Sequence, residues 1–244
     1  MAVELEAPPF VPWSTFHPQF QAQWKQGQHV IFVGPAGSGK TVGARVLARD
    51  RTYVIALGTK MRDPEMDAYI EEGYVRVESW PPPNKAMKPR DDGSIRIVLW
   101  PKIKTRADLR RFRPVYAACL DDALVRGGWT IVAEEGLWLS DRNGLHLGDH
   151  LSSIAYTGRS SGVTLMMLVQ RPRGVPVHTW TNASHVFLWH MGNTDDAREL
   201  ASLGTRPPKE VQAAVHELWG HDCLYLPARS GTDWAITKVD MGQA

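Results

Sequence analysis

The run Gly34-Pro35-Ala36-Gly37-Ser38-Gly39-Lys40-Thr41 has the spacing G-x-x-x-x-G-K-[ST], with an apolar run from His29 to Val33 before it and a helix-forming run from Thr41 to Asp50 after it. Glycines so placed let successive backbone N–H groups converge on an anion, and the N-terminus of the following helix adds partial positive charge at the same point. The anion expected is the phosphate chain of ATP. Gly34, Pro35, Ala36, Gly37, Ser38, Gly39, Lys40 and Thr41 are assigned to nucleotide binding. Lys40 is to reach the β- and γ-phosphates, and the Thr41 hydroxyl is to ligate Mg²⁺. The competing reading is a glycine-rich turn with no ligand.

Holding a nucleotide does not entail cleaving it. Trp129-Thr130-Ile131-Val132-Ala133-Glu134-Glu135 carries an apolar stretch into two acids, and acids beside a buried stretch are costly unless they meet a cation. Glu134 is assigned to Mg²⁺, directly or through water, and Glu135 to orienting or deprotonating the attacking water. The alternative is a pair of acids capping a strand and paired to arginine. Val163 to Gln170 is another apolar stretch ending in a polar side chain. If its strand neighbours that of Glu134, Gln170 lies within reach of the γ-phosphate or its water. Gly158-Arg159-Ser160-Ser161-Gly162 puts Arg159 on a turn, from which it either reaches a neighbouring subunit's nucleotide or is simply solvated. Arg171 and Arg173 are second candidates for that role.

These groups need elements to position them. Strand-length apolar runs at His29–Val33, Tyr53–Leu57, Ile95–Leu99, Thr130–Ala133, Val163–Val169, His185–Trp189, Cys223–Leu226 and Trp234–Thr237 alternate with helical stretches. Such alternation predicts an α/β fold with a mostly parallel sheet flanked by helices, and the phosphate-loop spacing in that context marks a P-loop NTPase. Phe16, Phe20 and Trp24 mark a helix that Gly27 ends. Thr105–Phe112 and Val115–Val125 are predicted as separate helices, because Pro114 disfavours continuation. Further helices are expected at Asp149–Tyr156, Asp195–Ser202 and Pro208–Leu218. The domain reading is an N-terminal segment, 1–28, packed on an ATPase domain, 29–244. Within that domain 78–94 is a proline-rich loop or insertion, and 205–244 supplies a closing helix and strands.

Cys119 and Cys223 are the only cysteines, too few for a disulfide framework or a structural zinc site. No H-x₃-H pair stands out as a metal site, and the tryptophans are expected in the core or at subunit interfaces. Nothing reads as a secretory signal or membrane span, so a soluble, cytoplasmic chain is expected. A net charge of +2 decides nothing, but basic residues concentrate between Lys85 and Arg113. The stretch Lys102 to Arg113 is either a solvated face or part of a nucleic-acid surface that contacts phosphates without reading sequence.

GPAGSGKT, TIVAEE, GRSSGVTLMMLVQRPRGVP and NASHVFLWHMGNTDDARELASLG together resemble the HerA/FtsK superfamily of P-loop motor ATPases, over about 28–204. The resemblance implies a RecA-like core with extra strands and a homo-oligomeric ring that moves double-stranded DNA through its pore. It also implies a polar sensor role for Gln170 and an arginine-finger role for Arg159. Glu134 stands where aspartate is usual. With no anchor, winged helix or nuclease in the chain, a bare motor for viral genome packaging is expected, in the host cytoplasm and with a portal or capsid as partner. A conjugative or plasmid translocase is the alternative. So is a nucleotide-dependent assembly ATPase of a secretion or virion-extrusion complex.

Overall fold

The computed structural model describes residues 7–171, 177–192, 206–228 and 233–240. The chain opens with α1 (Trp13–Gln23), β1 (His29–Val33), α2 (Lys40–Arg49) and β2 (Tyr53–Leu57). It continues through α3 (Pro64–Glu71), β3 (Val75–Val77), a 3₁₀ turn at Asn84–Met87, β4 (Ile95–Leu99) and α4 (Arg106–Arg126). Then come β5 (Thr130–Ala133), α5 (Gly136–Ser140), α6 (Gly148–Ser161) and β6 (Thr164–Val169). It closes with α7 (Val177–Thr181), β7 (Ala183–Trp189), α8 (Pro208–Glu217), β8 (Asp222–Pro227) and β9 (Ala235–Lys238).

The strands form one nine-stranded sheet in the order β3-β4-β2-β5-β6-β1-β7-β8-β9. All neighbours are parallel except β7 with β8 and β8 with β9, which are antiparallel. Every residue of β1, β5 and β6 is buried, which is why these strands read as unbroken apolar runs rather than alternating ones. Register then fixes the site. Ala133 pairs with Met167, and Val33 with Val169, so the chain leaves β5, β6 and β1 side by side at the sheet's C-terminal edge. Ligands of open α/β sheets sit at that edge.

The structure corrects the helix map. α4 runs unbroken through Pro114. A capping box between Thr105 and Asp108 starts it, and Tyr116, Cys119, Leu120 and Ala123 bury its far half. Pro114 removes one N–H, and the carbonyl thereby freed, on Arg110, is on an exposed residue where water can serve it. The packing outweighs that loss. α6 extends to Ser161, so Arg159 sits on the last turn of a helix rather than in a turn. α1 ends at Gln23 rather than near Gly27, because Trp24 leaves the helical path and its indole N–H bonds the Gln28 carbonyl. The Phe16, Phe20 and Trp24 stripe is buried as expected. The helix predicted at Asp195–Ser202, and Arg173, lie outside the described residues.

Candidate nucleotide site

The loop from Gly34 to Gly39 leaves β1 at the C-terminal edge and turns into α2. Gly37 and Gly39 have φ of 77° and 104°, a region that a side chain disfavours. Gly34 answers a different need, since a Cβ there would fall 2.7 Å from the Cβ of Trp189. That tryptophan is fully buried at the end of β7 and forms a floor under the loop. His221 braces the other side, its Nδ1 3.1 Å from the Ser38 carbonyl. Neither support is marked by the loop's own motif.

Lys40 folds back over the loop and donates to the Pro35 carbonyl at 2.7 Å. Burial lowers its ammonium to about 8, against the pull of Glu135 and Glu134 in the other direction and with a further push from Lys60. An entering polyanion reverses that imbalance, because it supplies the negative charge that the buried ammonium lacks.

A cleft of about 530 Å³ opens beside the loop, lined by Lys40, Thr41, Glu134, Glu135 and Gln170 among others. Glu134 and Glu135 follow the last residue of β5, and Gln170 follows the last residue of β6. The adjacency on which Gln170's placement depended is therefore present. Glu134 is 8% exposed, and its Oε1 has no hydrogen-bond partner. Burial, then repulsion from Asp63 and Glu65, pushes its carboxyl up to about 8. A lone buried carboxylate oxygen in the same cleft as the Thr41 hydroxyl suits a hard cation that keeps most of its other ligands as water and phosphate. Among the described residues no cluster of three or more His, Cys, Asp or Glu forms a metal site by itself. Thr41 and Glu134 thus fit Mg²⁺ only with a nucleotide present.

Lys60 and Glu65, which sequence reasoning did not single out, also line the cleft, and Asp63 adjoins Lys60. Lys60, three residues beyond β2, places its Nζ 2.6 Å from Glu135 Oε1 and 3.9 Å from Asp63 Oδ2. Asp63 caps α3, accepting from the Glu65 backbone N–H, and is 2% exposed, so burial raises its carboxyl, with Lys60 opposing. Glu65 is held by Arg45 of α2 at 3.1 Å. The Asp63-Pro64 start of α3 was a legible helix signal; Lys60 carries none.

No family model matches the chain, and no curated protein matches it. Solved structures do. The genome-packaging NTPase B204 of Sulfolobus turreted icosahedral virus 2, in complex with AMPPCP, matches with a TM-score of 0.62 at 16% identity, over 88% of this chain and 100% of that one. The fold is that of a P-loop NTPase. VirB4 of Thermoanaerobacter pseudethanolicus matches with a TM-score of 0.59 at 10% identity, over 88% and 91% of the two chains. The cytoplasmic domain of the type VII secretion ATPase EccC of Thermomonospora curvata matches at 0.57 and 15%, over 89% of this chain but 26% of that one.

In this fold the other predicted residues separate. Arg159 is exposed at the opposite, N-terminal edge of the sheet, where its backbone abuts Gly27. It is not brought to its own chain's cleft. Arg171 lines the cleft. The stretch Lys102 to Arg113 begins α4 beside the cleft, and its Ile103, Thr105 and Leu109 line an apolar crevice of about 440 Å³ that also touches Lys60 and Glu135. Lys102, Lys104, Arg110, Arg111 and Arg113 of this stretch are exposed. Among the described residues no helix is long and apolar enough to cross a membrane.

Proposed function

We propose that the chain is a Mg²⁺-dependent ATPase motor that couples ATP hydrolysis to translocation of double-stranded DNA, as a homo-oligomeric ring packaging a viral genome. The observation that carries this reading is the convergence of the phosphate loop, the glutamate pair and Gln170 on one cleft. The backbone N–H groups of Gly37 to Thr41 and the Lys40 ammonium grip the β- and γ-phosphates. Mg²⁺, held by Thr41 and Glu134, would neutralise charge on the phosphate oxygens. Glu135 takes a proton from the attacking water. The new bond joins that water's oxygen to the γ-phosphorus, the bond to the β–γ bridging oxygen breaks, and ADP and phosphate leave. Gln170 hydrogen-bonds the water or the γ-phosphate and so registers its departure.

Arg159 completes the site in trans. At the far edge of its own sheet and exposed, it can serve only a neighbouring copy's nucleotide, which is what a ring provides. The exposed cations from Lys102 to Arg113 attract the DNA backbone beside the cleft, so that grip and nucleotide state are coupled. Packaging is favoured because the likeness to B204 spans all of that packaging NTPase. The likeness to EccC favours a second reading, an assembly ATPase of a secretion complex. The two part on DNA-stimulated ATP turnover measured across a salt series. The motor reading expects stimulation by duplex DNA that falls by about 10³-fold or more in apparent affinity between 50 and 200 mM salt. No stimulation, with no DNA retention in low salt, favours assembly.

A further inference from the structure

The hydrolytic side chains occupy one flank of the phosphate loop. Glu134 and Glu135 follow β5 and Gln170 follows β6, whereas β7, β8 and β9 continue the sheet on the other flank. A triphosphate whose γ-phosphorus faces the glutamates therefore carries its nucleoside toward β7 and β8. The apolar crevice at Ile103 and Leu109 is on the wrong flank for the base, because it adjoins Glu135 at the γ-phosphate end. β8 lies three strand spacings from β6, about 14 Å, a span on the scale of a triphosphate with its sugar. An aromatic turn stands there. α8 ends at Glu217, and β8 begins at Asp222 beside the last residues of β7. Between them the chain turns tightly: the Asp222 N–H donates to the Trp219 carbonyl at 3.0 Å, and Gly220 has φ of 60°. The turn is fastened to the phosphate loop, His221 Nδ1 lying 3.1 Å from the Ser38 carbonyl and 3.6 Å from where a Cβ on Gly39 would be. Leu218 and Cys223 on either side are buried, yet Trp219 is 85% exposed. An indole left in water adds nothing to folding, but it offers a flat π face at the rim of an anion site.

We propose that Trp219 stacks on the base of the bound nucleotide and makes the site favour purine nucleoside triphosphates. This rests on the ATPase reading of the cleft and concerns the end of the ligand that the phosphate loop does not touch. Stacking needs only a π face, so it favours the larger purine rings over pyrimidines without reading base edges. His221 ties the indole's turn to the Ser38 carbonyl, so the base subsite and the phosphate loop are held as one unit. Trp219 touches the ligand in this scheme but not the reacting atoms.

The test measures, by titration calorimetry with Mg²⁺, the affinities of the wild type, Trp219→Ala and Trp219→Phe for three ligands: the β,γ-methylene analogues of ATP and CTP, and inorganic tripolyphosphate. Trp219→Ala is expected to bind the ATP analogue about 10-fold more weakly, the equivalent of about 1.4 kcal/mol of stacking, and tripolyphosphate as tightly as the wild type does. Its preference for the ATP analogue over the CTP analogue should narrow, and Trp219→Phe should keep most of the wild-type affinity. An unchanged affinity of Trp219→Ala for the ATP analogue, or an unchanged preference for adenine over cytosine, overturns the assignment. So does an equal loss for tripolyphosphate, the result expected of a tryptophan that only supports the loop or contacts a neighbouring copy. A wild type that binds tripolyphosphate as tightly as the ATP analogue rejects the base subsite alone. A wild type that binds none of the three ligands rejects the ATPase reading, and the base subsite with it.

Discussion

The two edges of the central strands solve opposite problems with similar side chains. At the N-terminal edge buried and half-buried polar groups are largely matched, His29 Nε2 being left without a hydrogen-bond partner. The Gly27 N–H donates to Thr164 Oγ1 at 2.8 Å, Leu165 N–H to His29 Nδ1 at 3.0 Å, and Gln26 Nε2 to the Trp129 carbonyl at 2.9 Å. His29 and His185 are held neutral there, burial lowering each imidazole to about 4. At the C-terminal edge Glu134 keeps an unpartnered oxygen and Lys40 sits in a cleft that disfavours its charge. A fold gains nothing from leaving buried charges unresolved, so the unresolved edge is the one arranged for something that arrives. The matched edge holds the sheet together and presents Arg159 outward.

That contrast can be broken most forcefully at Arg159. Its replacement by alanine should leave folding and ATP affinity unchanged and lower turnover by about 10³-fold or more, measured by steady-state hydrolysis beside a fluorescent nucleotide titration. Rescue of an Arg159→Ala and Glu135→Gln pair on mixing, each supplying what the other lacks, would place the arginine in trans. A rate within a few-fold of wild type would return Arg159 to an ordinary solvated residue.

A smaller effect is expected at the matched edge itself. Thr164→Val keeps the side-chain shape but removes the acceptor for the buried Gly27 N–H. Denaturant unfolding should show a loss of about 1–3 kcal/mol, with turnover per folded molecule unchanged. An equal loss of turnover would mean that the two edges are not separable in the way their hydrogen bonding implies.

A third effect sharpens the comparison through pH. His29 and His185 have imidazoles lowered from 6.5 to about 4, so the unfolded chain binds more protons in that window and stability falls as pH drops from 6.5 through 4. Glu134 is raised from 4.5 to about 8, so the folded chain binds more protons there and stability falls as pH climbs from 4.5 toward 8. Glu134→Gln, melted without nucleotide or metal, should therefore gain stability at pH 8 relative to wild type and show no gain at pH 4. A gain that is the same at both would mean that its carboxyl is not strained by the cleft.

Much of this was legible before any coordinates. Buried strands announce themselves as apolar runs, and β2, β4 and β5 fall at the predicted residues. The phosphate loop and the acidic ends of β5 were readable because backbone geometry demands glycine and strand ends demand polar groups at fixed spacing. Three-residue β3, with two exposed positions at the sheet's margin, carried too short a pattern to see. Pro114 misled because a local rule lost to tertiary burial across α4. Lys60 was invisible for another reason. Its contact with Glu135 comes from β2 and β5 being neighbours in space, while 75 positions separate Lys60 from Glu135 in the chain, and no local spacing records such a meeting.

The decisive measurement is a paired one: ATP binding and ATP hydrolysis by the wild type and by Glu135→Gln, with Mg²⁺ and duplex DNA present. Both proteins should bind ATP with the same affinity, while hydrolysis by the variant drops by about 10²- to 10⁴-fold. Equal hydrolysis by the two, or no ATP binding by either, would contradict the assignment of this cleft.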